Sequence, residues 1–210
     1  MINAALVVIA GKQNQLMSKL IYGVGINDAT YVVQPTVGGK QVMCPYYQAW
    51  KSMLCRGYSK KYKGRKKTYQ DVTVCFEWLT FSNFKAWMET QDWEGKQLDK
   101  DLLVPGNKVY SPETCVFVSR QVNQFINTGG SGRNGYPTGV SWDRFQGKYK
   151  ASIGILGLGS GSGSYNLGRY DSIEEAHEAW LSKKLEMVLD LAAEQDNPKV
   201  AEALLRFNFK

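Results

Sequence analysis

The chain has 210 residues, 43% of them hydrophobic, with 26 Lys and Arg against 19 Asp and Glu, enough to bury a core and to make two small domains. The formal charge of +7 favours a polyanionic partner, nucleic acid before acidic lipid. The apolar run Ala4–Ala10 is too short to span a bilayer and lacks the basic start and cleavage site of a signal peptide, so the chain reads as cytoplasmic, with no membrane partner.

The charge is unevenly placed. Residues 1–127 hold sixteen Lys and Arg against nine Asp and Glu, whereas residues 128–210 hold ten of each. The segment before Met17 is poorly patterned, so Met1 and Met17 serve equally well as a start and residues 1–20 read as an extension. Helical spacing begins at Tyr46–Tyr58, where Tyr47, Trp50, Met53 and Leu54 fall on one face. Arg56–Gln70 follows, with seven cations (Arg56, Lys60, Lys61, Lys63, Arg65, Lys66 and Lys67), no acid, and Tyr58, Tyr62 and Tyr69 between them. Cations neutralise phosphates and tyrosines stack on bases, so the segment is a candidate nucleic-acid grip. The plainer reading is a solvated charged loop. Glu77–Met88 predicts a second helix, with Trp78, Phe81, Phe84 and Trp87 as a core stripe.

The next elements form a hairpin and a helix. Gln97–Leu103 predicts a strand, Val104–Pro112 a turn rich in Pro, Gly and Asn, and Cys115–Val118 a second strand. Ser119 reads as a helix N-cap, which places Asn123 about one turn into the helix. Asp99 and Asn123 would then face each other and could share one divalent cation, Mg²⁺ or Mn²⁺. A metal beside a basic surface is the minimal equipment for phosphodiester hydrolysis. Cys44, Cys55, Cys75 and Cys115 fit no CxxC knuckle. They read as buried free thiols, with a structural Zn²⁺ as the lesser reading.

A glycine-rich linker covers residues 128–136, and a second unit spans 137–196. Three strands are expected there, at Gly139–Trp142, Lys148–Ile155 and Ser164–Tyr170, with a flexible hairpin tip at Gly157–Ser164. In the middle strand Tyr149, Ala151 and Ile153 alternate with Lys148, Lys150 and Ser152, giving one apolar and one cationic face. Ser172 and Glu175 form a capping-box signature for a helix from Ile173. That helix would cover the apolar face and leave the cations to DNA. The lone histidine, His177, lies on it and reads as structural or solvated. Pro198 opens a short helix in the tail 197–210.

The residues Leu98–Asp99, YSPE at Tyr110–Glu113, Cys115 and Asn123, with the aromatic segment Val74–Met88, resemble the HNH endonucleases, particularly their phage and homing-type branch. The resemblance covers most of residues 40–125. It implies a ββα-metal fold with Asp99 and Asn123 as metal ligands. The family's general base falls on Lys100 and its middle asparagine on Thr114. Three readings follow: Lys100 is a base with a lowered pKa; it is a cation on the phosphate while metal-bound water or Asp101 serves as base; or the site is inactive.

GVSW at Gly139–Trp142, GKYKASI at Gly147–Ile153 and LGRYDSIEEAHEAW at Leu167–Trp180 resemble the Apetala/ethylene-response-factor DNA-binding domain. That implies duplex contacts by Trp142, Arg144, Lys148, Lys150 and Arg169. The expected fold is α+β: an HNH-like hairpin-helix domain with aromatic helices, linked to a three-stranded antiparallel sheet packed on one helix. The expected function is metal-dependent cutting or nicking of double-stranded DNA. A DNA-binding regulator on a degenerate nuclease scaffold is the alternative, and an RNA-binding or protein-inhibiting factor a weaker one.

Overall fold

A computed structural model describes residues 20–127, 135–154 and 163–206. The expected N-terminal extension, most of the linker, most of the glycine-serine tip and the last residues of the tail lie outside the described residues. The fold is α+β. In chain order its first elements are β1 (Thr36–Val37), β2 (Lys40–Gln41), α1 (Pro45–Tyr58), α2 (Lys60–Arg65), β3 (Thr73–Val74), α3 (Phe81–Glu89), β4 (Gln97–Asp99), β5 (Val109–Tyr110) and β6 (Val116–Val118). There follow α4 (Arg120–Asn127), β7 (Val140–Asp143), β8 (Lys148–Gly154), β9 (Ser164–Tyr170), α5 (Ile173–Ala193) and α6 (Pro198–Leu205). Among the described residues no helix is long and apolar enough to cross a membrane.

The chain forms two compact units, residues 1–94 with 104–117 and residues 95–103 with 118–210. This division falls elsewhere than at the glycine-rich stretch. It cuts the Leu98–Asn123 hairpin and gives both β4 and α4, with their candidate ligands, to the second unit.

In the first unit α1 starts on Pro45, whose fixed φ suits the first helical position. Its inward face carries Tyr47, Trp50, Met53 and Leu54, all buried as the spacing predicts. They pack with Trp78, Phe81 and Phe84, also buried, and Trp50 Nε1 donates to Trp78 O at 2.7 Å. The predicted helix Glu77–Met88 is broken. A 3₁₀ turn covers Glu77–Leu79, and α3 begins at Phe81 after an extended Thr80. The cause is a bridge to Ile26: Ile26 N donates to Leu79 O at 2.8 Å and Phe81 N donates to Ile26 O at 3.0 Å. β3 and β5 pair in parallel.

In the second unit β7, β8 and β9 form an antiparallel sheet in that order. Val140 and Ala151 on it pack with Ala176 of α5, and Tyr149, Leu167 and Tyr170 close the cluster. α5 begins in the expected capping box, with Ser172 and Glu175 exchanging side-chain and backbone hydrogen bonds. Along α5, Ala176, Trp180, Lys184, Val188 and Ala192 are buried at steps of four. Gly139 lies against this helix with φ of +83°, and a Cβ there would sit 2.0 Å from Trp180 Cδ1. Only glycine fits both the backbone and the contact.

Candidate nucleic-acid interface and metal hairpin

Strand β4 stops at Asp99, four residues earlier than Gln97–Leu103 predicts. The Asp99 side chain itself ends it: Oδ1 accepts from Asp101 N at 3.0 Å and from Leu102 N at 2.7 Å. A short carboxylate that binds the backbone just ahead of it makes a turn, not a ladder. Asp99 is only 9% exposed. Burial, and next the carboxylate of Asp101, lift its pKa above the ordinary aspartate value against the two N–H donors. Lys100 is buried too, and its Nζ lies 2.8 Å from Asp101 Oδ2.

Asn123 reaches this strand from the helix. Ser119 Oγ accepts from Val122 N at 3.1 Å, the expected N-cap, and α4 starts at Arg120. Asn123 Nδ2 then donates to Gln97 Oε1 on β4. Gln97 and Asp99 share a strand face, being two residues apart. The first helical turn therefore meets β4 at Gln97, two residues from Asp99. Asn127 Nδ2 donates to Asn123 Oδ1 at 3.1 Å and to Asn123 O at 2.7 Å, which fixes the amide.

This donor set suits a hard divalent cation in its chemistry. Asp99, Asp101 and the Asn123 amide are all oxygen donors, and the Asp101 carboxylate adds to the cost of ionising Asp99, which a cation would relieve. Asp99 Oδ1 and the Asn123 oxygen already accept hydrogen bonds, and Lys100 holds Asp101. Among the described residues no three His, Cys, Asp or Glu side chains are grouped as for a metal ion. Cys44, Cys55, Cys75 and Cys115 are free thiols, the last of them buried. Cys44 Sγ lies 3.5 Å from Tyr31 Oη.

The cations of the first unit divide into two kinds. Arg56 Nη1 donates to Tyr110 Oη at 3.0 Å, and Lys63 Nζ donates to Gln70 O at 2.8 Å and Val72 O at 3.1 Å. These two are engaged with the chain's own backbone and core. Lys60, Lys61, Arg65, Lys66 and Lys67 are exposed and remain available to an anion. The segment is not a plain loop: Ser59 Oγ accepts from Tyr62 N and starts α2, and the rings of Tyr62 and Tyr69 meet edge to face at 5.3 Å.

The sheet of the second unit sorts its residues by register. Ser141 opposes Lys150, Asp143 opposes Lys148, and Lys150 opposes Arg169. Directly opposed residues share a face, so Lys148, Lys150 and Arg169 are brought together. Trp142 opposes Tyr149 and meets its ring edge-on at 4.8 Å. By strand parity it lies on the opposite face from those cations, and it is 42% exposed. Arg144 is exposed in the β7–β8 turn. Lys148 Nζ is 3.0 Å from Asp171 Oδ1, and Arg169 Nε donates to Asp143 Oδ2 at 2.8 Å. The latter bond and the Asp143 turn hold that carboxyl below its usual range. His177 Nδ1 sits 3.2 Å from Thr138 O with its ring stacked on Trp180, the structural role expected of it.

Sequence reasoning missed Asp143, Phe145 and Lys184. Of these, only the turn signal at Asp143–Gly147 was there to be read. No family model, curated protein or solved structure matches the chain.

Proposed function

We propose that the chain is a metal-dependent DNA endonuclease of the phage HNH type, in which the cationic sheet β7–β9 holds duplex DNA, as an Apetala-type domain does. The observation that carries this reading is the hydrogen bond from Asn123 to Gln97. It sets an amide-bearing helix against a strand two residues from a carboxylate, in the same unit as the sheet. Asp99 and Asn123 are the residues that would hold Mg²⁺ or Mn²⁺, with Asp101 beside them. The cation supplies Lewis acidity toward the phosphate. Lys100, ion-paired with Asp101, acts as a positive charge near the phosphate and not as the base. Phosphate contacts by Lys148, Lys150, Arg169 and Arg144 position the strand without reading its sequence.

A second reading, a non-catalytic DNA-binding protein on a degenerate HNH scaffold, is favoured by the occlusion of Asp99 and by the engagement of its Oδ1 in the chain's own turn. Supercoiled plasmid incubated with the protein and Mg²⁺ or Mn²⁺ separates the two. The nuclease reading expects conversion to open circles, lost with chelator and reduced at least about 100-fold in Asp99→Ala, the scale on which removal of a transition-state contact acts. A gel shift of the plasmid with no conversion in either protein favours the second reading.

A further inference from the structure

We propose that Phe145 is an apolar wedge that enters a base step when the β7–β9 sheet engages duplex DNA, a role that rests on the DNA-binding reading above. The ring is 98% exposed, more than any other large apolar side chain among the described residues. It stands in the β7–β8 turn, between Arg144 and the cation-bearing start of β8.

Exposed aromatic rings on slack loops carry little information. This turn is braced. Asp143 Oδ1 accepts from Phe145 N at 3.1 Å and from Gln146 N at 3.3 Å, and Gly147 N donates to Asp143 O at 2.9 Å. Gly147 takes φ of +60°, which closes the turn. The other carboxylate oxygen of Asp143 accepts from Arg169 Nε across the sheet, at 2.8 Å. One carboxylate thus fixes the backbone that bears the ring and ties it to the cationic face. Nothing in that arrangement buries the ring, so its exposure on a braced turn gains nothing for the fold itself.

The surroundings name the occupant. Arg144 is exposed beside the ring, and Lys148, Lys150 and Arg169 follow on the sheet. The two nearby acids are already matched, Asp143 by Arg169 and Asp171 by Lys148. An apolar side chain set among cations on a ribbon end fits a partner whose rim is anionic and whose interior is aromatic. Stacked bases between phosphates are that partner, and apolar wedges inserted at such steps unstack and kink the duplex. Pyrimidine–purine steps open most readily, so the wedge favours TA and CA.

The test uses the full chain and short synthetic duplexes carrying 2-aminopurine at TA and CA steps, at low salt. Unstacking raises the probe's fluorescence. The wild type is expected to raise it at such a step. Phe145→Ala is expected to abolish the rise and weaken binding about tenfold, the loss typical of one base–aromatic contact, while Phe145→Leu keeps part of both. Since the ring packs against nothing, truncation leaves the fold intact, and unchanged circular dichroism checks this. Tight binding by the wild type with flat fluorescence at every probe, or equal behaviour of wild type and Phe145→Ala, overturns the wedge and leaves the DNA-binding reading standing. Absence of any binding overturns both.

Discussion

Lys184 occupies a place in the α5 stripe that its neighbours at steps of four fill with Ala, Trp and Val, and it is 2% exposed. Its ammonium is not wasted there. Nζ donates to Phe125 O at 3.1 Å, in the last turn of α4, and sits 3.6 Å from the Phe125 ring centroid. A cation is favoured at carbonyls of a helix C-terminus and over an aromatic face. The lysine therefore ties α5 to the helix that carries Asn123. Burial nevertheless pushes its pKa down to about 8, below the roughly 10.4 of an unfolded chain. Between those values the unfolded state binds more protons, so stability rises with pH there. Lys184→Met keeps the apolar stem and removes the charge. Chemical denaturation at pH 7, 8, 9 and 10 is expected to show the stability of the wild type rising relative to Lys184→Met, by at most about 3 kcal/mol, because the raised Cys75 thiol and the raised hydroxyls of Tyr22, Tyr31 and Tyr110 act alike in both. A difference between the two proteins that stays flat or falls across this window would contradict the assignment.

At the scale of elements, the β7–β9 sheet and α5 stand on one contact that tolerates no side chain. Gly139, with φ of +83° and Trp180 against its Cα, leads into β7. Gly139→Ala combines backbone strain with overpacking and is expected to lower stability by roughly 1–3 kcal/mol. The midpoint of urea unfolding would fall with its slope unchanged; an unaltered midpoint would show that Trp180 moves aside freely. The sheet, its covering helix, the aromatic core of α1 and α3 and the cap at Ser119 were all legible in the sequence, because each follows from a local period or a local capping pattern. Other features depend on partners distant in sequence. Thr80 is extended because Ile26 bridges there, and the two-residue pairing of β3 with β5 leaves no periodic trace. Composition marked Arg56 and Lys63 as cations, but only the fold shows them turned onto Tyr110 and onto the carbonyls of Gln70 and Val72. Trp142 was placed with the cations by resemblance, whereas strand parity puts it opposite Tyr149. At the hairpin, spacing brought Asn123 to the right strand. It could not show that Asp99 caps its own turn or that Lys100 is held by Asp101.

For the molecule as a whole, the surplus of 26 cations over 19 acids counts only where the cations are free to meet an anion. The structure turns Arg56 and Lys63 onto the chain's own groups and pairs Lys148 with Asp171 and Arg169 with Asp143, so the sheet face of the second unit stays net cationic through Lys150 and Arg144. Both functional readings, and the wedge at Phe145, require duplex DNA to lie on that face. Affinity for a duplex measured against salt concentration tests this most directly, because each phosphate contact adds a fixed amount to the logarithmic slope. Lys148→Ala combined with Lys150→Ala is expected to make the slope shallower by about 2, near the 0.9 expected per lost contact. A slope equal to that of the wild type, or a wild type that does not bind duplex DNA at low salt, would contradict it.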